Sequence, residues 1–253
     1  MSASLPPGSA EHRSAADRPW KDEWFAAGVR VRSRLLWRGV EAQHRVATLR
    51  LAESAADQRL LEEMLEASKP PLPASTRPRN YLLATPFRYR APVASRFRRA
   101  HDPGAWYGAE DLRTACAEVG YWRWRFLMDS DALIEQALHT THSFFRAAVR
   151  GRCLDLTRPP WNASAGHWRD PADYRSCQAL AAAARAQAVA WIRYASARVA
   201  TGICGVAFEL AALTFSRPAQ LQTWICRTTR AGVRLQRSTA EAESHEFSAR
   251  DWS

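Results

Sequence analysis

The sequence predicts an α+β fold: a mixed core of short strands with surrounding helices, plus an N-terminal helical extension. Three observations carry that expectation. Short aromatic or β-branched runs, "GAWYGA", "AWIRYAS" and "GICGVAFEL", read as strands. Local helical patterns separate them irregularly, which disfavours a doubly wound parallel sheet. The chain has 253 residues, is 47% hydrophobic and carries eleven tryptophans, enough for one sizeable core.

Residues 1–19 are small, polar and proline-containing, and are expected to be disordered. Residues 20–67 read as helical, with Trp37, Val40, Ala47 and Leu51 near one stripe. Ser54 is placed to cap a second helix that carries Leu60, Leu61, Met64 and Leu65. The prolines of "SKPPLPASTRPRN" end it, so 20–78 is expected to be a helical extension and linker. The main domain is placed at 79–238. "YLLATPFRYR" reads as a strand approach broken at Pro86, and "GAWYGA" as a strand. "EDLRTACAEVGYWRWRFLM" reads as a helix with acidic residues in its first turn, where the dipole favours them.

"DALIEQALHTTHSFFRAAV" is read as a second helix and "CLDL" as a short strand. Asp170 before Pro171 reads as the N-cap of an alanine-rich helix over 173–190. "LQTWICRTTRAGVRLQR" fits a hairpin turning near Ala231-Gly232, and 239–253 is expected to be a loose tail.

Composition narrows the function classes. The formal net charge of +11 favours anionic partners: nucleic acid, phosphorylated ligands or an acidic protein. The five cysteines, Cys116, Cys153, Cys177, Cys204 and Cys226, have irregular spacing and no C-x-x-C pair. They read as reduced thiols of a cytoplasmic protein, with no zinc site. No run reaches the roughly 20 apolar residues of a membrane span, and the N-terminus lacks the apolar run of a secretory signal. "HTTH" at 139–142 lacks the zincin spacing, so no metal is expected. Walker, G-x-G-x-x-G and G-x-S-x-G motifs are all missing.

One segment resists a purely structural reading. In "SRFRRAHDPGAWYGAEDLRTACAEVGYWR", Arg96, Tyr107 and Glu118 fall at equal steps of eleven. Glu118 is flanked by Ala115, Ala117, Val119 and Trp122, an apolar setting in which an idle carboxylate is costly.

This stretch, preceded by "YLLATPFRYR" and followed much later by "IRYASAR", resembles the RES-domain family, named for arginine, glutamate and serine. The resemblance covers roughly residues 79–237. Here Ala94-Ser95 stand before Arg96 where small glycines are usual, and no acidic residue follows the Ser-x-Arg. It implies an ADP-ribosyltransferase-like fold and an enzyme that cleaves NAD⁺ as a phosphorylase or glycohydrolase. It implies, too, the toxin of a bacterial toxin–antitoxin pair whose partner is an Xre-like helix-turn-helix protein.

By position, Arg96, Glu118 and Ser196 match the family's catalytic arginine, glutamate and serine. Arg88, Tyr89, Arg96, Tyr107 and Ser196 are expected around bound NAD⁺. NAD⁺ is substrate rather than cofactor, and inorganic phosphate is the expected co-substrate of phosphorolysis. The N-terminal helices read as a cap or a homodimer contact. Two alternatives stay open: a protein ADP-ribosyltransferase, and a non-catalytic basic module binding nucleic acid through Arg30, Arg32, Arg34 and Arg38. Direct nucleic-acid binding is the less favoured.

Overall fold

A computed structural model describes residues 18–42, 54–70, 81–216, 221–239 and 243–252. In chain order the elements are α1 (Glu23–Gly28), β1 (Val29–Glu41), α2 (Ala55–Ala67), α3 (Tyr81–Arg88), β2 (Trp106–Ala109), α4 (Leu112–Met128) and β3 (Leu138–Asp155). They continue as α5 (Ala165–Arg169), α6 (Arg175–Ala186), β4 (Trp191–Ala195), β5 (Ile203–Ala207), β6 (Leu213–Phe215), β7 (Gln222–Thr229), β8 (Gly232–Arg237) and β9 (Ser244–Ser248). The α+β expectation holds. None of the helices is long and apolar enough to cross a membrane among the described residues.

One mixed sheet organises the chain in the order β1-β2-β5-β4-β3-β7-β8-β9, with β6 also on β3. Strand β3 is its spine. One edge pairs antiparallel with β1 from Val29↔Leu154 to Glu41↔His142. The other edge serves β7, β6 and, in parallel, β4 in turn. Because β1 also bridges β2 at Trp37↔Ala109, strands β1, β2, β5, β4 and β3 close into a ring.

Side chains alternate across these strands and feed two cores. Leu36, Trp106, Phe145, Trp191 and Leu213 form one, with Leu83 and Ala84 of α3. Phe144, Leu154, Ile192, Cys204 and Trp224 belong to the other, with α4, α6, Trp161 and Trp168.

Several local expectations are corrected. The stretch read as helix from residue 20 is helical only over α1; Val29–Glu41 is a strand, held by its ladder to β3. Of the stripe read there, Ala47 and Leu51 lie outside the described residues. Helix α2 follows, with Ser54 Oγ accepting from Asp57 N at 3.1 Å. Residues 81–88 are helical, with Pro86 near the end, where one missing hydrogen bond costs little. Residues 138–149 are strand, not helix, because β3 finds ladder partners on both edges. Asp170 is not a helix cap: its Oδ1 accepts from Ala172 N and Asp173 N in a turn before α6. The tail is not loose over 244–252, since β9 pairs with β8 and Trp252 is buried.

The helix read over "EDLRTACAEVGYWRWRFLM" is α4, but no acidic residue lies in its first turn; Asp111 stands just before it as the cap, accepting from Thr114 N at 2.7 Å. Other expectations stand. The β7–β8 hairpin closes at Thr229↔Gly232, where Gly232 takes φ +154, a conformation that favours glycine. All five cysteines are buried and unbridged.

Candidate active site

A cavity of about 340 Å³ lies between α4 and the adjoining strands. Its wall includes Arg96, Tyr107 and Glu118. Helix α4 supplies Ala115, Glu118, Val119 and Trp122 from one face, at the three- and four-residue spacing of neighbours on a helix. Gly39 allows the close approach of α4 to the sheet. A Cβ there would lie 2.6 Å from the Phe144 ring and 2.8 Å from Val119.

Glu118 is half-buried, and Ser196 is 0% exposed beneath it. Ser196 Oγ donates to Glu118 Oε1 at 2.7 Å. The same oxygen of Ser196 accepts from Arg198 N at 3.0 Å and Val199 N at 3.2 Å, so the turn after β4 fixes the hydroxyl. Cys204 Sγ, from β5, approaches Glu118 Oε1 at 3.7 Å. Burial, and then the Glu118 carboxylate, push the Cys204 pKa well up, which keeps the thiol protonated as a donor. Both contacts use Oε1; Oε2 accepts no hydrogen bond among the described residues.

Two arginines stand beside the carboxylate. Arg96 Nη1 donates to the carbonyls of Trp168 at 3.0 Å and Asp170 at 2.7 Å. Its guanidinium lies 4.6 Å from the centroid of the Tyr174 ring. Arg198 stacks 3.3 Å from the Tyr121 centroid and donates to Pro171 O and Tyr174 Oη. Tyr174 thus touches both cations, and burial pushes its phenol pKa up, so it stays a neutral hydroxyl. Such fixed guanidinium groups suit phosphate oxygens.

Tyr107 is held by its hydroxyl, which meets Ser95 Oγ at 2.8 Å and accepts from Phe97 N at 3.1 Å. Those contacts anchor the 95–98 turn carrying Arg96, which is closed by the backbone bonds between Ser95 and Arg98. Arg98, in the same basic run, is buried and donates to the carbonyls of Ala91, Arg99 and Val93; it holds the loop rather than facing solvent.

The structure therefore gathers Arg96, Tyr107 and Glu118 on the cavity wall; Ser196, expected around NAD⁺, lies behind Glu118, fully buried and not among the lining residues. The structure does not bring Arg88 or Tyr89 to the cavity. Arg88 ends α3 and its Nε donates to Pro70 O, while Tyr89 is 37% exposed. The pair lies at a helix end rather than on the strand expected for it.

Sequence reasoning missed Arg198, Tyr174, Tyr194 and Cys204, and the wall contributed by β1: Trp37, Gly39 and Glu41. Only Arg198 had a local signal, two residues beyond Ser196 in "RYASAR". No group of three His, Cys, Asp or Glu that could hold a metal occurs among the described residues.

Residues 71–229 match the family model described as the RES domain, more than half of the chain. The chain belongs to the RES-domain family. Among solved structures, the RES protein is similar to a chain of the crystal structure of the M. tuberculosis MbcT–MbcA toxin–antitoxin complex. The identity is 17%, over 83% of this chain and 92% of that chain, with a TM-score of 0.43. No curated protein matches it. Strand β1 precedes the matched residues, although it supplies part of the cavity wall.

Proposed function

We propose that the protein is an NAD⁺-degrading enzyme that breaks the nicotinamide–ribose bond, working as the toxin of a cytoplasmic toxin–antitoxin pair. The observation that carries the chemistry is Glu118 on the cavity wall, held from behind by Ser196 and flanked by Arg96 and Arg198. Family membership supplies the substrate class. The toxin role and an Xre-like helix-turn-helix antitoxin rest on the same resemblance.

In this reading the C1′–N bond breaks with its electron pair leaving on nicotinamide, whose ring nitrogen loses its positive charge. Positive charge develops on the ribose ring. The Glu118 carboxylate, whose Oε2 accepts no hydrogen bond among the described residues, stabilises that charge or holds the ribose hydroxyls. Ser196 is a positioning residue: it fixes the rotamer of Glu118 through Oε1. Arg96 and Arg198 take the pyrophosphate. An oxygen of phosphate, or of water with loss of a proton, forms the new bond to C1′.

The test is NAD⁺ consumption by the purified full chain, with and without phosphate. Glu118→Gln is expected to lower kcat by about 10²–10³-fold, the usual loss for such a contact. Ser196→Ala is expected to lower kcat more than KM, with the thermal midpoint followed alongside to separate misfolding. ADP-ribose-1″-phosphate formed only with phosphate identifies a phosphorylase, and free ADP-ribose a glycohydrolase. ADP-ribose attached to protein identifies a transferase. Intact NAD⁺ under every condition, with no modified protein in an added extract, defeats the reading.

A further inference from the structure

The half of the cavity built on β1 is chemically unlike the half around Glu118. It is walled by Trp37, Glu41, Trp122, Arg123 and His142. Trp122 is 45% exposed, an open indole at the end of the α4 face that carries Glu118. Trp37 has the Arg146 guanidinium 5.5 Å from its centroid. Glu41 Oε2 accepts from Arg123 Nη1 at 2.7 Å, tying β1 to α4, while Oε1 accepts no hydrogen bond among the described residues.

His142 stands opposite Glu41 in the β1–β3 ladder. It is 2% exposed, and its Nδ1 is buried without a partner. Its Nε2 meets Thr140 Oγ1 at 2.9 Å. An orphaned buried nitrogen on a cavity wall is costly until something pairs with it.

These groups match one class of ligand. An open indole stacks on a flat heteroaromatic base. With Nε2 met by Thr140, the Nδ1 of a neutral imidazole is a donor or an acceptor according to the tautomer, and the edge of a purine offers a partner for either. A carboxylate accepts from the vicinal hydroxyls of a ribose, the arrangement by which nucleotide sites hold a free 2′-hydroxyl. The charge of Arg123 is already met by Glu41, so a phosphate on that hydroxyl would face the Glu41 carboxylate.

We infer that Trp37, Glu41, Trp122, Arg123 and His142 form a subsite for the second nucleoside of a dinucleotide, one that selects a free 2′-hydroxyl over a 2′-phosphate. The inference rests on the NAD⁺ reading only for what occupies the Glu118 half. It assigns substrate selection to β1, a strand outside the residues that match the family.

Two measurements on the full chain test it. The first is calorimetric binding of ADP-ribose, which needs no turnover, to the wild type, Trp122→Ala and Glu41→Gln. Trp122→Ala is expected to weaken binding about tenfold, in line with loss of one stacking face. The second compares kcat/KM for NAD⁺, NADP⁺ and nicotinamide mononucleotide, which lacks the second nucleoside. Trp122→Ala is expected to lower the preference for NAD⁺ over the mononucleotide about tenfold, and Glu41→Gln to narrow the preference for NAD⁺ over NADP⁺.

Cleavage of NAD⁺ with both preferences intact in both variants overturns the subsite and leaves the cleavage reading standing. Tryptophan-dependent binding of ADP-ribose with no cleavage of any dinucleotide does the reverse. ADP-ribose bound equally by wild type and Trp122→Ala overturns the subsite whatever the turnover.

Discussion

Burial and the neighbouring Arg123 guanidinium hold the His142 imidazole at a pKa of about 4, against 6.5 for an ordinary histidine. Between those values the unfolded chain binds a proton that the folded chain refuses. Stability from this group is therefore complete above pH 6.5 and falls as the pH drops toward 4, by about 1.4 kcal/mol per unit. His245 is displaced in the same direction by burial, so a difference measurement is needed to isolate His142. His142→Gln keeps a polar side chain and removes the titration. Its stability, from urea melts between pH 7.5 and 4.5, is expected to fall less steeply with acid than that of the wild type; parallel curves would show that His142 does not titrate in this window. The same residue shows what a linear sequence hides at this scale. Arg96, Tyr107, Glu118 and Ser196 were legible because a motif fixes their order and spacing. His142 was visible only as one end of "HTTH", since its meaning comes from Glu41, about a hundred positions away, brought opposite by a ladder. Tyr174 and Cys204 are likewise defined by what folds onto them, Arg96 in one case and the Glu118 carboxylate in the other.

Helix α4 carries Glu118, and what holds α4 in place includes the end of the chain. Trp252 lies 5.8 Å from the Tyr121 ring and 6.0 Å from the Trp124 ring, centroid to centroid, and stacks at 5.9 Å on Phe247 of β9. Tyr121 in turn lies under Arg198. Truncating a buried aromatic costs roughly 3–5 kcal/mol, since the lost transfer energy adds to the cavity left behind. At about 2–4 °C per kcal/mol for a chain of this size, Trp252→Ala is expected to lower the melting midpoint by roughly 6–20 °C. A shift below about 2 °C would mean the tail does not support α4. The tail was unreadable because a short polar strand such as "SHEFS" earns its structure only by pairing with β8. α4 itself was legible, since Asp111 and the helical pattern are local signals. β1 was not. "VRVRSRLLWRGVE" alternates, but arginines occupy the positions where a strand is expected to be apolar. Distant carboxylates neutralise them: Arg32 lies 3.9 Å from Asp155 and Arg34 lies 3.4 Å from Glu110. That removes the helical face on which a nucleic-acid reading was built.

Both ends of the described chain are packed into the interior of the molecule. Near the start, Trp20 lies 6.1 Å from Trp168, and Phe25 lies 5.0 Å from Trp161. Leu36 of β1 is 1% exposed in the second core. β1 is also the strand that closes the ring, through its long ladder to β3 and its bridge to β2. The residues that match the family begin at 71, so a chain cut to that boundary loses Trp20, Phe25 and Leu36 from the interior. It also leaves one edge of β3 without its β1 ladder from His142 to Leu154, and buried backbone groups left unpaired are costly. A domain is stable by only about 5–15 kcal/mol, and the loss of three large buried side chains is of that size by itself. A chain of residues 71–253 is therefore expected not to fold, with near-UV circular dichroism lost and no cooperative urea transition. The full chain is expected to show both. If the shortened chain instead unfolds cooperatively and keeps its aromatic spectrum, β1 is an appendage, and the cavity wall it supplies is dispensable to the fold. Adding a peptide of residues 18–42 distinguishes the cause of failure: recovery of the near-UV signal shows that the missing strand, not the new terminus, was what the core lacked.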